Sequence, residues 1–314
     1  MSLRLVADVG GTNTRIALFD PLRNEFRALH NYTNREFNRL EDIIAHWLEH
    51  LSEPKPRVCC IAVAAPPSAD HVEMTNIDWS FSCRELASRF GFEQLRRLND
   101  FEANAYALPY LTDSAKELLV PGKDQAQGRL ATLGPGTGLG GAILDWQDGV
   151  PHSFACEPGH MGLTPATGLE LEVFRLLLAH YSNIYAELLV SGPGLLRLHE
   201  ALAEIRGEPA RAHSPAEISR IAMAGEDPLC VVTLETFCAL LGSVCGDFLL
   251  ANGSYGGLYL AGGIVPGITS FLRESTFSKR LIEKGAMGET LAGIPVYAIT
   301  SSQPGLLGAA HVPL

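Results

Sequence analysis

Short apolar runs alternate with amphipathic stretches along this chain. The runs predicted as strands cover residues 3–7, 16–19, 58–64, 95–98, 141–146, 258–261 and 294–299. The stretches with helical spacing or helix-start signals cover residues 36–51, 83–90, 100–107, 229–252 and 304–311, with further helices starting after Thr167 and Ser214. Because strands and helices alternate, the pattern predicts an α/β protein.

Three polar pairs predict where helices begin, since a Ser or Thr and a Glu three residues later can bond each other's backbone amides. These pairs are Ser82 with Glu85, Thr167 with Glu170, and Ser214 with Glu217. The apolar stretch from residue 229 contains Gly242 and Gly246, small residues that allow a neighbouring helix to pack closely. It ends at Asn252-Gly253, a helix-ending signal.

The stretch 8–20 has two glycines between apolar runs, which predicts a strand, a tight turn and a second strand. Paired glycines permit positive φ and let a ligand approach the backbone closely. Amides that can converge there on one anionic oxygen are those of Gly10, Gly11, Thr12 and Asn13. Asp8 is placed for a metal ion or its water shell, and Arg15 for phosphate. An ordinary hairpin with a buried Asp8 explains this stretch equally well by itself.

A second glycine-rich stretch, 134–141, contains a nominal G-x-G-x-x-G sequence. Dinucleotide-binding loops lead from a strand into a helix, whereas this one leads into the apolar strand 141–146, so the context excludes that interpretation. The stretch 134–145 instead resembles 8–20, because in both glycines and a threonine precede an apolar run and an aspartate. The repetition suggests a duplicated domain. Two such nests facing each other across a cleft would hold a polyphosphate from both sides.

Length and charge narrow the class of protein. A chain of 314 residues exceeds one typical core, so we expect two domains. The net charge of −11 argues against nucleic acid or an anionic membrane surface as a partner. A nucleotide remains compatible with that charge, since a magnesium ion and a local nest act at short range. The segment 229–251 carries Glu235 and Asp247, which disfavours a membrane span. With no secretory signal visible, we expect a cytoplasmic protein.

The cysteine pattern also points to the cytoplasm. The seven cysteines contain no Cys-x-x-Cys pair, as is typical of reduced core thiols. His152, Cys156 and His160 recur every four residues, as metal ligands on a helix would. Pro158 and Gly159 lie between them and would break that helix, so we expect no zinc site.

A set of polar residues in this largely apolar chain is suited to bind several hydroxyl groups, and consists of Asn99, Asp100, Glu157, His160 and Glu187. Asp100 follows a strand and opens a helix, at the edge where ligands collect in open α/β sheets. Structural alternatives remain for Asp100, Glu157, His160 and Glu187. Asp100 can cap its helix together with Glu102. Glu157 and His160 can lie in a solvated loop, and Glu187 can be exposed at a helix end.

Seven short motifs, six of which contain glycine, follow one another along nearly the whole chain. They are Asp8-Val-Gly-Gly-Thr-Asn13, Leu98-Asn-Asp-Phe101, Gly136-Thr-Gly-Leu-Gly140, Glu157-Pro-Gly-His160, Glu187 before Ser191-Gly-Pro-Gly194, Ala261-Gly-Gly-Ile-Val-Pro266 and Pro304-Gly-Leu-Leu-Gly308. Taken together, they resemble the motifs of bacterial glucokinases of the non-zinc group. The first motif alone would indicate only the broader superfamily of sugar kinases, heat-shock chaperones and actin.

This resemblance implies an actin-like ATPase (ribonuclease H-like) fold, with two α/β domains and an interdomain cleft. The smaller domain would comprise residues 1–110 plus 301–314, and the larger domain residues 111–300. The implied activity is transfer of the γ-phosphoryl group of ATP, with Mg²⁺, to the 6-hydroxyl of glucose. The products would be ADP and glucose 6-phosphate, which enters glycolysis. The family analogy also implies a homodimer.

The resemblance gives each motif a role. Asp100 would bind glucose and act as general base, while Asn99, Glu157, His160 and Glu187 would bind the other hydroxyls. His160 would contact sugar rather than metal. Residues implied in nucleotide binding are Asp8, Val9, Gly10, Gly11, Thr12, Asn13, Arg15, Gly136, Thr137 and Gly138 at the phosphates, and Gly262 and Gly263 near the adenosine. Asp8 would serve Mg²⁺ through water.

Pro135 and Pro158 depart from the family pattern, which often has Ala or Gly there. Each proline removes an amide donor and stiffens its loop, so the phosphate and sugar contacts can differ. Three other functions stay open: a kinase for another hexose such as mannose, fructose or N-acetylmannosamine, a sugar-sensing transcriptional regulator, and a non-catalytic actin-like assembly protein. A regulator would need a DNA-binding extension and a basic surface. Asp100 and the hydroxyl-binding set argue against an assembly protein.

Overall fold

The computed structural model describes residues 2–65, 70–74, 77–123 and 128–314. The chain divides into two compact units. We call residues 1–111, 146–155 and 301–314 unit 1, and residues 112–145 and 156–300 unit 2. The two domains expected from the sequence have other boundaries, and those boundaries stay a prediction.

The strands of the described residues are β1 (Arg4–Val9), β2 (Asn13–Asp20), β3 (Glu25–Thr33), β4 (Val58–Val63), β5 (His71–Glu73), β6 (Ser80–Ser82), β7 (Gln94–Asn99), β8 (Lys116–Val120), β9 (Leu130–Pro135), β10 (Leu139–Gln147), β11 (Val150–Cys156), β12 (Gly257–Leu260) and β13 (Val296–Ile299). Every run predicted as a strand overlaps one of them. The six described strands that no apolar run predicted include β3 and β8, both of which lie at the edge of a sheet.

The α-helices of the described residues are α1 (Leu40–Glu49), α2 (Cys83–Phe90), α3 (Asp100–Ala107), α4 (Gly168–Leu177), α5 (Ala186–Leu189), α6 (Gly192–Arg206), α7 (Pro215–Ala224), α8 (Pro228–Asn252), α9 (Val265–Glu274), α10 (Phe277–Ile282), α11 (Gly288–Ala292) and α12 (Pro304–His311). The predicted caps at Ser82, Thr167 and Ser214 are confirmed, since each side chain accepts the amide of the Glu three residues later. The α/β class is therefore confirmed.

The helix predicted over 36–51 is shorter than expected, because α1 begins only at Leu40. Residues Asn34–Glu36 form a separate 3₁₀ turn, and Phe37 after it is extended. Asn34 is 1% exposed and bonds backward to the first glycine turn. The backbone is still extended at Phe37 and Arg39, so α1 begins after them.

The two main sheets repeat one topology. The first has the strand order β3-β2-β1-β4-β7, and the second β11-β10-β9-β12-β13-β8. In the first, β1 is antiparallel to β2 and parallel to β4. In the second, β9 is antiparallel to β10 and parallel to β12. The repeated hairpin suggested by the sequence is therefore present at matching places in both sheets.

Helix α8 is the core helix of unit 2. It is long and apolar enough to cross a membrane by length and composition alone, but 83% of its most apolar window is buried inside the protein. A side chain on Gly242 or Gly246 would overlap a backbone carbonyl of α10, that of Phe277 or Leu281 respectively. The close packing predicted from these small residues is confirmed.

Helix α12 packs on α3 and on β1 within unit 1. The Arg4 guanidinium in β1 donates to the carbonyls of Ala310, at 3.1 Å, and Val312, at 2.9 Å. A side chain on Gly308 would overlap the Ala103 carbonyl in α3. Helix α12 is therefore fixed to β1, which carries Asp8, and to α3, which begins with Asp100.

Candidate functional site

The first glycine turn joins β1 to β2. The amide of Gly10 donates to the carbonyl of Asn13 at 3.0 Å, within the turn itself. The predicted nest of four amides is thereby reduced, because this one is already bonded. The amides of Gly11 and Thr12 donate to no acceptor in the described residues. Neither Gly10 nor Gly11 is among the described glycines with positive φ, so the turn does not use the left-handed conformation that glycine permits there.

Asn34, which follows β3, bonds to this turn, and the sequence did not predict that role. Its backbone amide donates to the Thr12 carbonyl at 2.9 Å, and its Nδ2 donates to the Gly10 carbonyl at 2.7 Å. The Thr14 hydroxyl donates to its Oδ1 at 2.8 Å. An asparagine just after a strand gives no signal of such a role, since Asn is common in turns.

Asp8 lies one residue before the end of β1, opposite Arg15 of β2. The nearest guanidinium nitrogen of Arg15, Nη1, is 3.7 Å from Asp8 Oδ2, and the Asp8 side chain is 21% exposed. Burial raises the pKa of the Asp8 carboxyl, and the Arg15 charge partly counteracts that rise. A Cβ on Gly305 of α12 would lie 2.9 Å from the carboxyl carbon. Glycine at 305 therefore leaves the space that the carboxylate occupies.

Asn99 and Asp100 lie at the junction of β7 and α3. The Asn99 side-chain oxygen accepts the amides of Phe101, at 2.7 Å, and Glu102, at 3.2 Å, and Glu102 accepts the Asn99 amide in return. Asn99 is thus the N-cap, and the alternative that Asp100 caps the helix is wrong. The oxygen of Asn99 is occupied by this capping box, while its Nδ2 has no partner among the described residues.

Parallel pairing brings these groups of unit 1 to one edge of the sheet. Val9 of β1 is in register with Val63 of β4, which is in register with Asn99 of β7. The first glycine turn and Asp100 therefore both follow the carboxyl edge, two strands apart, or about 10 Å. Ligands of open α/β sheets bind outside this edge.

The second glycine turn joins β9 to β10 and has the same character. The Gly136 amide donates to the Gly138 carbonyl at 2.8 Å, while the amides of Thr137 and Gly138 have no acceptor in the described part of the chain. The Gly136 carbonyl accepts the amide of Gly192, at the start of α6, at 2.7 Å. Each hairpin thus has one amide bonded internally and two tip amides available.

The turn at Gly262-Gly263 packs against this second hairpin. Leu133 of β9 is in register with Leu260 of β12, so both turns follow the same edge of their sheet. Gly262 has φ of 85°, and a side chain there would overlap the Pro135 carbonyl. A Cβ on Gly263 would meet no described atom within 4 Å. Gly263 lines a cavity of about 750 Å³, whose other walls come from α7, Ile264 and α9.

Glu187 connects three segments of unit 2. Its Oε2 accepts the Leu139 amide at 2.7 Å. A Cβ on Gly138 would lie 2.5 Å from this oxygen, and one on Gly159 would lie 3.0 Å from it. Glu187 is half-buried against the second glycine turn, so the alternative of an exposed helix-end glutamate is wrong.

Glu157 and His160 frame a 3₁₀ turn and have largely exposed side chains, at 68% and 69%. Their carboxylate and imidazole lie 4.0 Å apart, and the His160 ring is parallel to Tyr185 with centroids 5.8 Å apart. Pro158 is buried at the first position of the turn, where its missing amide costs no hydrogen bond. Unit 2 therefore groups these residues with Glu187 and Gly138.

The residues with metal-ligand spacing lie on different elements. His152 and Cys156 belong to strand β11, and His160 lies in the 3₁₀ turn. Within the described residues, no group of three or more His, Cys, Asp or Glu side chains is arranged to hold a metal ion. The partly exposed Asp8 carboxylate fits Mg²⁺ nevertheless, because that ion keeps most of its waters and binds through few carboxylates together with substrate phosphates.

The protein is an α/β protein with two sheets of one topology, each with a glycine hairpin at its carboxyl edge. The tip amides of both hairpins have no acceptor among the described residues, so the two turns are candidate phosphate-binding sites. The glucokinase family model matches residues 5–313. The curated glucokinase of Saccharophagus degradans is 40% identical over 309 residues, which cover 98% of this chain and 96% of that protein. The chain belongs to the glucokinase family.

Solved structures agree with this assignment. The crystal structure of a glucokinase from an Antarctic psychrotroph is similar with a TM-score of 0.91 and 38% identity, covering 99% of this chain and 98% of that one. The glucokinase of Balamuthia mandrillaris, solved in complex with glucose, has a TM-score of 0.79 and 21% identity, covering 98% of this chain and 93% of that one. The second likeness supports the fold alone.

Proposed function

We propose that this protein transfers the γ-phosphoryl group of ATP to the 6-hydroxyl of glucose, giving ADP and glucose 6-phosphate for glycolysis in the cytoplasm. The observation that carries the proposal is the pair of tip amides on each glycine hairpin that donate to no acceptor within the described structure, in a chain of the glucokinase family. The fold proposed with it is the actin-like ATPase fold. Its cleft would lie between a domain of residues 1–110 plus 301–314 and a domain of residues 111–300.

The phosphates are the part of the nucleotide that the hairpins would bind. Backbone amides at a turn form a concave anion site without any lysine. The tip amides of Gly11 and Thr12 serve one hairpin, and those of Thr137 and Gly138 the other. Arg15 adds a positive charge beside the first. When bound, Mg²⁺ would be held by Asp8 through water and would neutralise charge on the β- and γ-phosphates.

The adenosine would occupy the cavity beside Gly263. Its walls include apolar parts of Pro215, Ile264 and Ile268 together with Arg220. A predominantly apolar cavity of this size with few polar groups is typical of a site for a heterocycle. Gly262 brings the turn against the second hairpin, so base and phosphates would be held by neighbouring segments of one unit.

Glucose would be held by separate polar groups. In unit 2 these are Glu157, His160 and Glu187, and in unit 1 the free Nδ2 of Asn99. A polar group that bound glucose covers is costly to leave without a hydroxyl partner, so a sugar lacking or inverting one hydroxyl is disfavoured. Pro158 stiffens the turn between Glu157 and His160, which reduces the ordering needed on binding.

Asp100 would be the general base. Its carboxylate accepts the proton of the 6-hydroxyl while that oxygen forms its bond to the γ-phosphorus. The bond between the γ-phosphorus and the bridging oxygen breaks, and its electrons leave with ADP. Phosphoryl transfer depends mostly on positioning and charge neutralisation, so the base orients the hydroxyl as well as accepting its proton.

The direct test is ATP turnover measured with and without glucose, with glucose 6-phosphate detected as the product. We expect turnover to depend on glucose. Asp100→Asn should lower kcat by about a hundredfold or more, as loss of a general base does. Asp42→Asn, the same chemical change on the surface helix α1, should leave it unchanged. Near-normal product formation by Asp100→Asn would contradict the assignment of the base.

The acceptor specificity and the assembly need their own measurements. A panel of glucose, mannose, fructose and N-acetylmannosamine, compared by kcat/KM, should place glucose first. We also propose a homodimer, in line with the family analogy, which sedimentation of the purified protein would test. A higher kcat/KM with another hexose would show that the protein is a kinase for that sugar. The residues proposed to bind the nucleotide would keep their roles.

A further inference from the structure

Asn34 lies outside every motif of the chain but makes more bonds to the first glycine turn than any residue of those motifs does within the described structure. It is 1% exposed and follows β3, so it reaches the turn from the neighbouring strand. Its Nδ2 donates to the Gly10 carbonyl at 2.7 Å, and its backbone amide donates to the Thr12 carbonyl at 2.9 Å. The carbonyls of Gly10 and Thr12 therefore both point toward Asn34.

The direction of a carbonyl fixes the direction of the next amide. In a planar trans peptide the C=O of one residue and the N–H of the following residue point in opposite directions. Turning the Gly10 carbonyl toward Asn34 therefore turns the Gly11 amide away from it. The Thr12 carbonyl has the same effect on the amide of Asn13.

Asn34 is itself held in one orientation. The Thr14 hydroxyl, on a fully buried side chain, donates to Asn34 Oδ1 at 2.8 Å. This bond leaves the Nδ2 group facing Gly10, because the amide oxygen and nitrogen of an Asn side chain point to opposite sides. A carboxamide is suited to this place, since it accepts from one neighbour and donates to the other.

We infer that Asn34 is a positioning residue that presets the direction of the Gly11 amide for a phosphate group of the nucleotide, an inference that rests on the proposed function. An anion site formed by backbone amides works when the amides are aligned before the ligand arrives. Without the Nδ2 bond, the Gly10–Gly11 peptide group would be free to rotate. The nucleotide would then have to order it on binding.

The variants of choice are neutral, so that no new charge acts on the phosphates. Asn34→Ala removes both side-chain bonds. Thr14→Val removes the hydroxyl that orients Asn34, and Thr14→Ser keeps a hydroxyl there. The matched control is Trp47→Phe, which deletes a 2.8 Å bond from the indole to the Ala28 carbonyl in the same unit but away from the turn.

We expect Asn34→Ala to raise the KM for ATP and the Kd for Mg-ADP about tenfold. The Kd for glucose, measured by calorimetry without nucleotide, should change by less than about twofold. Thr14→Val should weaken Mg-ADP binding by about threefold, and Thr14→Ser should restore it. Trp47→Phe should lower the thermal midpoint and leave both ligand affinities unchanged.

A purely structural role predicts a different result. If Asn34→Ala lowered the thermal midpoint like Trp47→Phe but bound Mg-ADP as tightly as the wild type, the inference would be overturned. If Asn34→Ala did not fold, equal Mg-ADP affinities of Thr14→Val and Thr14→Ser would overturn it. Failure of glucose to stimulate turnover would contradict the proposed function alone. A wild-type chain that bound no Mg-ADP would overturn both.

Discussion

Gly308 of α12 lies directly against the backbone carbonyl of Ala103 in α3, with no room for a side chain between the two helices. Helix α3 begins with Asp100, and Gly305, one turn earlier in α12, lies against the carboxyl group of Asp8. One short helix thus packs on the elements that carry two acidic residues of unit 1. Its glycines set how closely it approaches them.

Gly308→Ala should destabilise the protein by about 2–4 kcal/mol, because the added methyl group must push α12 away from α3. The free energy of unfolding from urea titration measures the effect. Gly168→Ala is the matched control, since a Cβ at the start of α4 meets nothing within 4 Å. It should change stability by less than about 1 kcal/mol. Equal stabilities of the two variants would show that the helices can separate without cost.

Glu187 offers a test of the sugar-binding proposal. In Glu187→Gln the amide oxygen can still accept from Leu139, so we expect a thermal midpoint near that of the wild type. The KM for glucose should rise about tenfold, because a charge-assisted hydrogen bond to a hydroxyl is lost. Glu187→Ala should show the same rise together with a lower midpoint. Glu200→Gln, on the exposed side of α6, is the control, and an unchanged KM in Glu187→Gln would contradict the role.

Ala28 has φ of 48° in the middle of β3, a left-handed conformation that is strained for alanine. Its carbonyl accepts the Trp47 indole N–H, and the pairing of β2 with β3 shifts register nearby, between Ile16 and Leu18. Ala28→Gly should therefore raise stability by about 0.5–1 kcal/mol. Asn24→Gly, at φ of 54°, should raise it less, because Asn tolerates this region. Differential scanning calorimetry of both variants tests the order.

His311 should make stability depend on pH. Burial, and the charge of Arg4 to a lesser degree, lower the pKa of its imidazole to about 4. Between about pH 4 and pH 6.5, the imidazole of the unfolded state, with its ordinary pKa of 6.5, therefore binds more protons than that of the folded state. Stability should therefore fall as pH falls from about 6.5 to about 4, by up to about 3 kcal/mol.

The variant that isolates this titration is His311→Phe. It keeps an aromatic ring between Phe19 and Tyr110, whose centroids lie 5.1 and 3.6 Å from that of His311. The acid part of the pH–stability curve should flatten, because the phenyl ring of the variant cannot take up a proton. A curve that keeps its slope would assign the acid sensitivity to other groups.

Much of the architecture could be predicted from local patterns. Glycines between apolar runs predicted both hairpins, and small residues in α8 predicted its tight packing on α10. Those signals are strong because only glycine fits where backbones touch. Strand β3 gave no comparable signal, since it is an edge strand with mostly polar or exposed positions. The start of α1 was misplaced because the helical spacing of apolar residues begins at Phe37, whereas the backbone stays extended at Phe37 and Arg39.

The chemistry of the site was less accessible than its location. The sequence indicated that backbone amides of the glycine turns could bind an anion. It could not show which of these amides are already hydrogen-bonded within the turns. Gly10 and Gly136 both bond within their own loops. Asn99 was predicted to bind a hydroxyl, and its oxygen proves to be occupied by the helix cap. Such competition between partners depends on distances that only the folded chain defines.

The docking of α12 has a consequence for how the protein is made. Arg4 of β1 donates to the carbonyls of Ala310 and Val312, which follow it by 306 and 308 residues. Arg96 of β7 likewise donates to the Pro313 carbonyl at 2.7 Å. The sheet of unit 1 therefore lacks these bonds until α12 and the residues after it have been synthesised and have docked. A nascent chain that stalls before α12 would keep an unfinished first unit, and we expect it to be a substrate for chaperones and proteases.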